Sequence, residues 1–245
     1  MRYFKAVIEY DGTNYSGWQR QKNTSMTIQQ KVEEALSKIE KKSVSVLASG
    51  RTDAGVHAYG QVIGFSLANS IPTSKIPIAT NGLLPRDIRI IRAEEVDKDF
   101  HPRYQTKGKI YQYKIETGSV QSVFRRNYTY YYPFELDIQK IRESIQHLVG
   151  TNDFSSFRAS GCSAKSPVRT IKKITVSKNE NLYMLEYEGD GFLYNMVRIL
   201  TGTLLQVGIG KFDPIEVKEI LEAKDRNLAG PTVPGHGLYL KKVFY

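Results

Sequence analysis

At 245 residues the chain is long enough to bury one large core or two small ones. Its 40% hydrophobic and 24% charged residues exclude a disordered or fibrous chain, and 35 Lys and Arg against 25 Asp and Glu, a formal charge of +10, favour a polyanionic partner such as nucleic acid or an anionic membrane surface. A single cysteine, Cys162, excludes an internal disulfide, and the four scattered histidines give no zinc-like ligand cluster, which together fit a reducing, cytoplasmic setting.

In chain order, Met1 to Glu9 alternates polar and apolar residues instead of pairing a basic start with an apolar run, so it does not read as a signal peptide. Tyr3 to Glu9 is a strand ending at the turn Asp11-Gly12. No stretch approaches the ~18 apolar residues of a membrane span. Thr27 followed by Gln30 predicts a capping box, and Ile28, Val32, Ala35, Leu36 and Ile39 form an apolar stripe at helical spacing. Val44 to Leu47 and Gln61 to Leu67 read as strands around a polar loop, residues 74–83 as a short helix, and Ile88 to Ala93 as a strand. The first half is therefore βαββαβ.

The second half repeats the order. Lys109 to Glu116 alternates with Tyr111 and Tyr113 on one face and Ile110 and Ile115 among the residues between them. Ile138, Ile141, Ile145 and Leu148 mark a helix, and Ile171 to Ser177 with Leu182 to Glu188 a hairpin around Asn179-Glu180-Asn181. A second helix carries Phe192, Met196, Val197, Leu200 and Leu204 on one side, Asp213, Pro214 and Glu216 start an added helix, and Leu238 to Phe244 closes the half. The fold class is α+β, a duplicated ferredoxin-like (βαββαβ) unit with domains at 1–105 and 106–245 joined near residues 100–107, a topology shared with RNA-recognition modules.

The densest chemical signal is Ser49-Gly50-Arg51-Thr52-Asp53-Ala54-Gly55-Val56-His57-Ala58, a small and polar loop between two strands. Gly50 and Gly55 free the backbone on either side of Asp53, while Arg51 and His57 are placed to meet an anionic ligand. On residue type alone, an Asp that bonds its own backbone is the simpler reading of position 53. With no local partner for metal or carboxylate-pair work, catalysis by Asp53 would be nucleophilic or proton-transferring and metal-free. An ionised lone carboxylate needs a cation, and Arg198, between Val197 and Ile199 of an apolar helix, is a candidate. Snorkelling to solvent is the plainer account of that arginine. Tyr111 stands on its strand as aromatic residues of RNA-binding sheets do, although aromatic strands also fill ordinary cores. No P-loop, dinucleotide fingerprint or esterase elbow occurs, which argues against nucleotide hydrolysis and hydride transfer.

The run Gly50 to Ala58 resembles the signature of the TruA family, the tRNA pseudouridine synthases I. Similar blocks are Tyr10-Asp11-Gly12 through Tyr15-Ser16-Gly17-Trp18-Gln19-Arg20-Gln21, Asn81 to Pro85, Phe100 to Ile115, Asp153-Phe154-Ser155, Asn195-Met196-Val197-Arg198, Ala223-Lys224-Asp225-Arg226 and Gly237-Leu238-Tyr239-Leu240. In order, they span nearly the whole chain. The resemblance implies the pseudouridine synthase fold, a homodimer of two-domain subunits, and a basic cleft between the domains that takes a tRNA anticodon arm, with uridines 38 to 40 as targets. It implies Asp53 as the essential carboxylate, Arg198 as its partner and Tyr111 as the residue stacking on the target base; Arg20, Arg51, Thr52 and His57 are further candidate substrate contacts. Neither a cofactor nor a metal is implied, and no membrane. Asn152 stands where relatives often have His, and Pro102 where they often have Ala. The alternatives are a non-catalytic RNA-binding protein with two recognition modules, a synthase acting on another RNA, and a hydrolase of nucleosides or damaged bases.

Overall fold

The computed structural model describes residues 1–162 and 164–245. They fall into two compact units, residues 1–107 with 239–245, and residues 108–238.

The first unit opens with β1 (Arg2–Tyr10), where Phe4, Ala6, Ile8 and Tyr10 alternate inward and are buried. Helix α1 (Ile28–Glu40) starts at an extended Thr27 whose hydroxyl accepts the Gln30 N–H. The capping box is half made, because the Gln30 amide turns along the helix to Glu34 at 2.9 Å instead of back to Thr27. Ile28, Val32, Ala35 and Leu36 are buried on one face and Ile39 is half-buried. The strand expected at Val44 to Leu47 is reduced to β2 (Leu47–Ala48). Side chains of α1 take the place of its ladder: Ser37 accepts the Val44 N–H at 2.9 Å and the Glu33 carboxylate accepts the Val46 N–H at 3.1 Å. β3 (His57–Leu67), α2 (Ile76–Asn81), preceded by a single 3₁₀ turn, and β4 (Ile88–Val96) complete the expected order. The strands run β4-β1-β3 with β2 on the outer edge of β3, the ferredoxin-like arrangement.

The second unit contains β5 (Gly108–Glu116), β6 (Tyr130–Tyr131), α3 (Ile138–Ile145), β7 (Gly150–Asp153), β8 (Val168–Asn179), β9 (Leu182–Gly189), α4 (Met196–Gly208) and α5 (Glu216–Ala223). Its sheet order is β5-β9-β8-β7, so β5-β9-β8 repeats β1-β3-β2 of the first unit. Tyr111, Tyr113 and Ile115 of β5 stand opposite Tyr187, Leu185 and Tyr183 of β9. A period of two puts Ile115 on the face of the tyrosines, so only Ile110 of the two isoleucines alternates with them. The β8–β9 hairpin closes on Glu180-Asn181 between the paired Asn179 and Leu182, with Glu180 left-handed at φ 53. Asp137 caps α3 through the Gln139 and Lys140 N–H groups, while Leu148 lies beyond it in a 3₁₀ turn. Ahead of α5, the Glu216 carboxylate accepts the Asp213 N–H at 2.6 Å, as a capping-box acid does. Phe192 does not lie on α4 but ahead of it, and its ring meets Tyr111 edge-on.

The last strand, β10 (Leu238–Phe244), departs from the simple repeat. Residues 239–245 belong with the first unit, where Tyr239 and Leu240 pair in parallel with His57 and Ala58 of β3. The long outer edge of β3 thus holds β2 at Ile63 and Gly64 and β10 at its other end. Pro102 is buried in this unit, with its carbonyl accepting the Thr106 and Tyr245 hydroxyls at 2.8 and 2.6 Å. Among the described residues, no helix is long and apolar enough to cross a membrane.

Candidate active site

In the first unit the Asp53 loop runs from β2 to β3 and is held from below by buried polar side chains. Gln61, fully buried on β3, accepts the Ser49 hydroxyl at 2.7 Å and donates to the Gly50 carbonyl at 2.8 Å. Thr52 is buried with its hydroxyl 2.8 Å from that of Tyr10, and its carbonyl accepts the Trp18 N–H at 2.9 Å. Burial pushes the Tyr10 phenol up to about 12, with the Thr52 and Gln61 bonds drawing it partly back, so it keeps its proton at physiological pH. The Val56 N–H returns to the Asp53 carbonyl at 3.2 Å, and Gly55 takes φ 74 in the turn this closes. Asp53 is therefore the first residue of a tight turn whose corners are Ala54 and Gly55, half-buried, with the exposed Arg51 two residues before it.

The chain after β1 packs on this loop through bare backbone. A Cβ at Gly12 would stand 2.1 Å from the Val56 carbonyl oxygen, and one at Gly17, itself at φ +90, would stand 2.7 Å from that of Thr52. Tyr15, from the same stretch, donates to Asp87 at 2.6 Å, and burial first, then Asp87, pushes its phenol well up. His57 is buried and stacked on Tyr239 with ring centroids 4.7 Å apart, while Tyr59 stacks on Tyr239 at 4.9 Å. Its Nδ1 lies 3.0 Å from the Gly12 N–H and 3.1 Å from the Asp11 carboxylate. These two contacts exclude each other: a neutral ring accepts from Gly12, and only a protonated Nδ1 can donate to Asp11. Arg20 is mostly exposed, with Nη1 3.3 Å from the largely buried Glu33 carboxylate, on the rim of a polar depression that includes Lys22, Thr24 and Gln29.

In the second unit Arg198 lies in the first turn of α4, directly after Asn195, whose left-handed conformation (φ 58) turns the chain into the helix. The guanidinium donates through Nε to the Val233 carbonyl and through Nη1 to the Asn195 side chain, both at 2.7 Å, which fixes its plane. Tyr111 is buried against Phe192, ring centroids 5.2 Å apart and nearly perpendicular. Across the strand pair from it is Tyr187, whose hydroxyl bonds Thr201 of α4 at 2.8 Å, so the tyrosine face of the sheet and the helix bearing Arg198 are packed together.

A family model described as tRNA pseudouridine synthase matches residues 6–105 and 144–245. The chain belongs to the tRNA pseudouridine synthase family. Along its full length this synthase is 54% identical to tRNA pseudouridine synthase A of Clostridium kluyveri and 46% identical to that of Acetivibrio thermocellus, each covered completely. Over 243 residues, 98% of each chain, it is 47% identical to tRNA pseudouridine synthase A of Bacillus pumilus.

The synthase carries Arg51, Thr52 and Asp53 on one loop of its first unit and His57 at the start of β3, with Arg20 on a separate segment of the same unit. Tyr111 and Arg198 are carried by its second unit. Thr52 and His57 are buried and bonded to Tyr10 and the Gly12 segment, so both brace the loop. The bracing roles of Tyr10, Gln61 and Tyr239 leave no signal in the sequence, since an inward residue on a strand is indistinguishable from core until its polar partner is known. Asn195 left a signal, as a short amide side chain just ahead of an apolar helix, but its hold on Arg198 depends on a backbone angle no pattern displays.

Proposed function

We propose that this chain isomerises uridine to pseudouridine in the anticodon arm of tRNA, at positions 38 to 40, with Asp53 as the carboxylate on which the chemistry depends. The bond from N1 of uracil to C1′ of the sugar breaks, the base rotates while held, and C5 bonds to C1′. The proton lost from C5 balances the one gained at N1, so the reaction consumes no redox partner and calls for no cofactor. The Asp53 carboxylate can act at C1′, at C6 of the base, or on a sugar proton, and each route uses its ionised form. In this reading Arg198 holds the carboxylate charged, Tyr111 stacks on the extruded base, and Arg20 and Arg51 meet phosphates. Extrusion costs a few kcal/mol, and less in a loop whose bases are poorly stacked. The enzyme works as a cytoplasmic homodimer.

The observation that carries this reading is the full-length agreement with relatives named tRNA pseudouridine synthase A, combined with a loop whose residues ahead of Asp53 are held by Tyr10 and Gln61. Unmodified tRNA transcripts incubated with the protein and mapped by chemical sequencing should show pseudouridine within positions 38 to 40. Transcripts left unmodified there would overturn the target, and free uracil in the supernatant would mark a hydrolase.

A further inference from the structure

The segment Gly230 to Gly237 runs along α4 from its middle to its first turn and then meets β5 inside the second unit, and it grips both. Gly230 donates to the Thr203 hydroxyl at 2.9 Å, and a Cβ there would stand 2.6 Å from the Thr203 backbone. On the helix side the approach is as close, since a Cβ at Gly202 would be 1.9 Å from the Pro231 carbonyl oxygen. Arg226 ties the segment further, donating to Thr232 at 3.1 Å.

Two successive carbonyls of this segment then take two different side chains. Val233 accepts the Arg198 Nε–H at 2.7 Å, and its own N–H points back to the Arg198 carbonyl at 3.5 Å. Pro234 accepts the Tyr113 hydroxyl at 2.6 Å. The two peptide planes meet at the Pro234 Cα, where the ring fixes φ, here −56, and leaves ψ, here 153, as the one soft torsion between the two carbonyls. Val233, preceding a proline, is itself confined to extended conformations. A shift of one carbonyl thus reaches the other through that single torsion. The Tyr113 ring is fully buried and presses on Gly237, where a Cβ would come within 2.8 Å of it, so the phenol has a fixed origin from which to hold Pro234. Burial pushes that phenol far up, with the Arg198 charge opposing, so it remains a donor at every working pH.

We infer that Tyr113 is a positioning residue, which sets the guanidinium of Arg198 for the isomerisation by anchoring the Val233-Pro234 carbonyl pair. This rests on the role given to Arg198 above, yet the coupling itself can be read without turnover. Tyr113→Phe keeps the ring on Gly237 and removes only the hydroxyl. In that variant the Arg198 Nε–H resonance, identified by its loss in Arg198→Lys, should shift and exchange faster with water. The single-turnover rate on tRNA should fall about tenfold or more while KM and RNA affinity hold. An unmoved Nε–H resonance overturns the inference whatever the activity, as does a moved resonance with an unchanged rate in a protein whose wild type is active. A moved resonance in a protein whose wild type forms no pseudouridine leaves the coupling standing and overturns the functional reading instead.

Discussion

Tyr10 and Thr52 share a buried hydrogen bond of 2.8 Å between their hydroxyls across 42 positions of sequence. The last inward residue of β1 thereby fixes the residue directly before Asp53. Tyr10→Phe leaves the Thr52 hydroxyl buried without that partner, at a cost of about 1 to 2 kcal/mol. For a chain of this size the melting temperature should drop by roughly 2 to 8 °C. Pseudouridine formation should slow roughly tenfold to a hundredfold, because the carboxylate is displaced. Melting curves and single-turnover rates of the variant check both.

Gly12 and Gly17 leave room for the loop with nothing but hydrogen on Cα. Gly12→Ala would drive a methyl into the Val56 carbonyl, and Gly17→Ala would add the strain of φ +90 to a clash at Thr52. Each should cost about 1 to 3 kcal/mol and remove most activity. Urea unfolding and turnover would show it, and activity at the wild-type level in Gly12→Ala would mean that the loop yields freely.

Glu116 is fully buried at the end of β5, where the Arg125 guanidinium, the Ser122 N–H and the Thr129 hydroxyl meet its carboxylate. Burial alone would raise its pKa, but these bonds outweigh it and hold the group below its ordinary value of 4.5. The sign follows: the stabilisation is complete above that value and disappears as pH falls through the lower folded pKa. Glu116→Gln should melt earlier than the wild type at pH 7 and converge with it in acid. Melting temperatures from pH 7 down to 3 test this, and parallel curves would contradict it.

RNA binding by a chain of net charge +10 should weaken steeply with salt. Arg51→Ala should flatten the slope of log K against log salt by about one unit of charge if that exposed side chain meets a phosphate. Filter binding across a salt series measures the slope.

Much of this was legible in the letters. Strong alternation located β1, β5 and β9, and the Thr27 and Glu216 caps and the apolar stripes placed the helices, because these depend on local chemistry alone. The run at Val44 predicts a longer strand than forms, because the Val44 and Val46 N–H groups go to Ser37 and Glu33, a substitution visible only once α1 is folded over it. β10 looked like the closing strand of the second half, yet its pairing with β3 is a non-local choice that no pattern in residues 238–244 encodes. The loop at Asp53 declared itself by composition. Which of its members face inward did not, for Thr52 and His57 are polar residues buried by partners at Tyr10, Gly12 and Tyr239.

In the proposed reaction Asp53 serves the chemistry and not the docking. Wild type and Asp53→Asn should be compared on one unmodified tRNA transcript, with affinity measured by filter binding and pseudouridine by chemical sequencing. Affinities should agree within about twofold and the variant should form no detectable pseudouridine, since the amide lacks the charge on which each route depends. Formation by Asp53→Asn at the wild-type rate would contradict this.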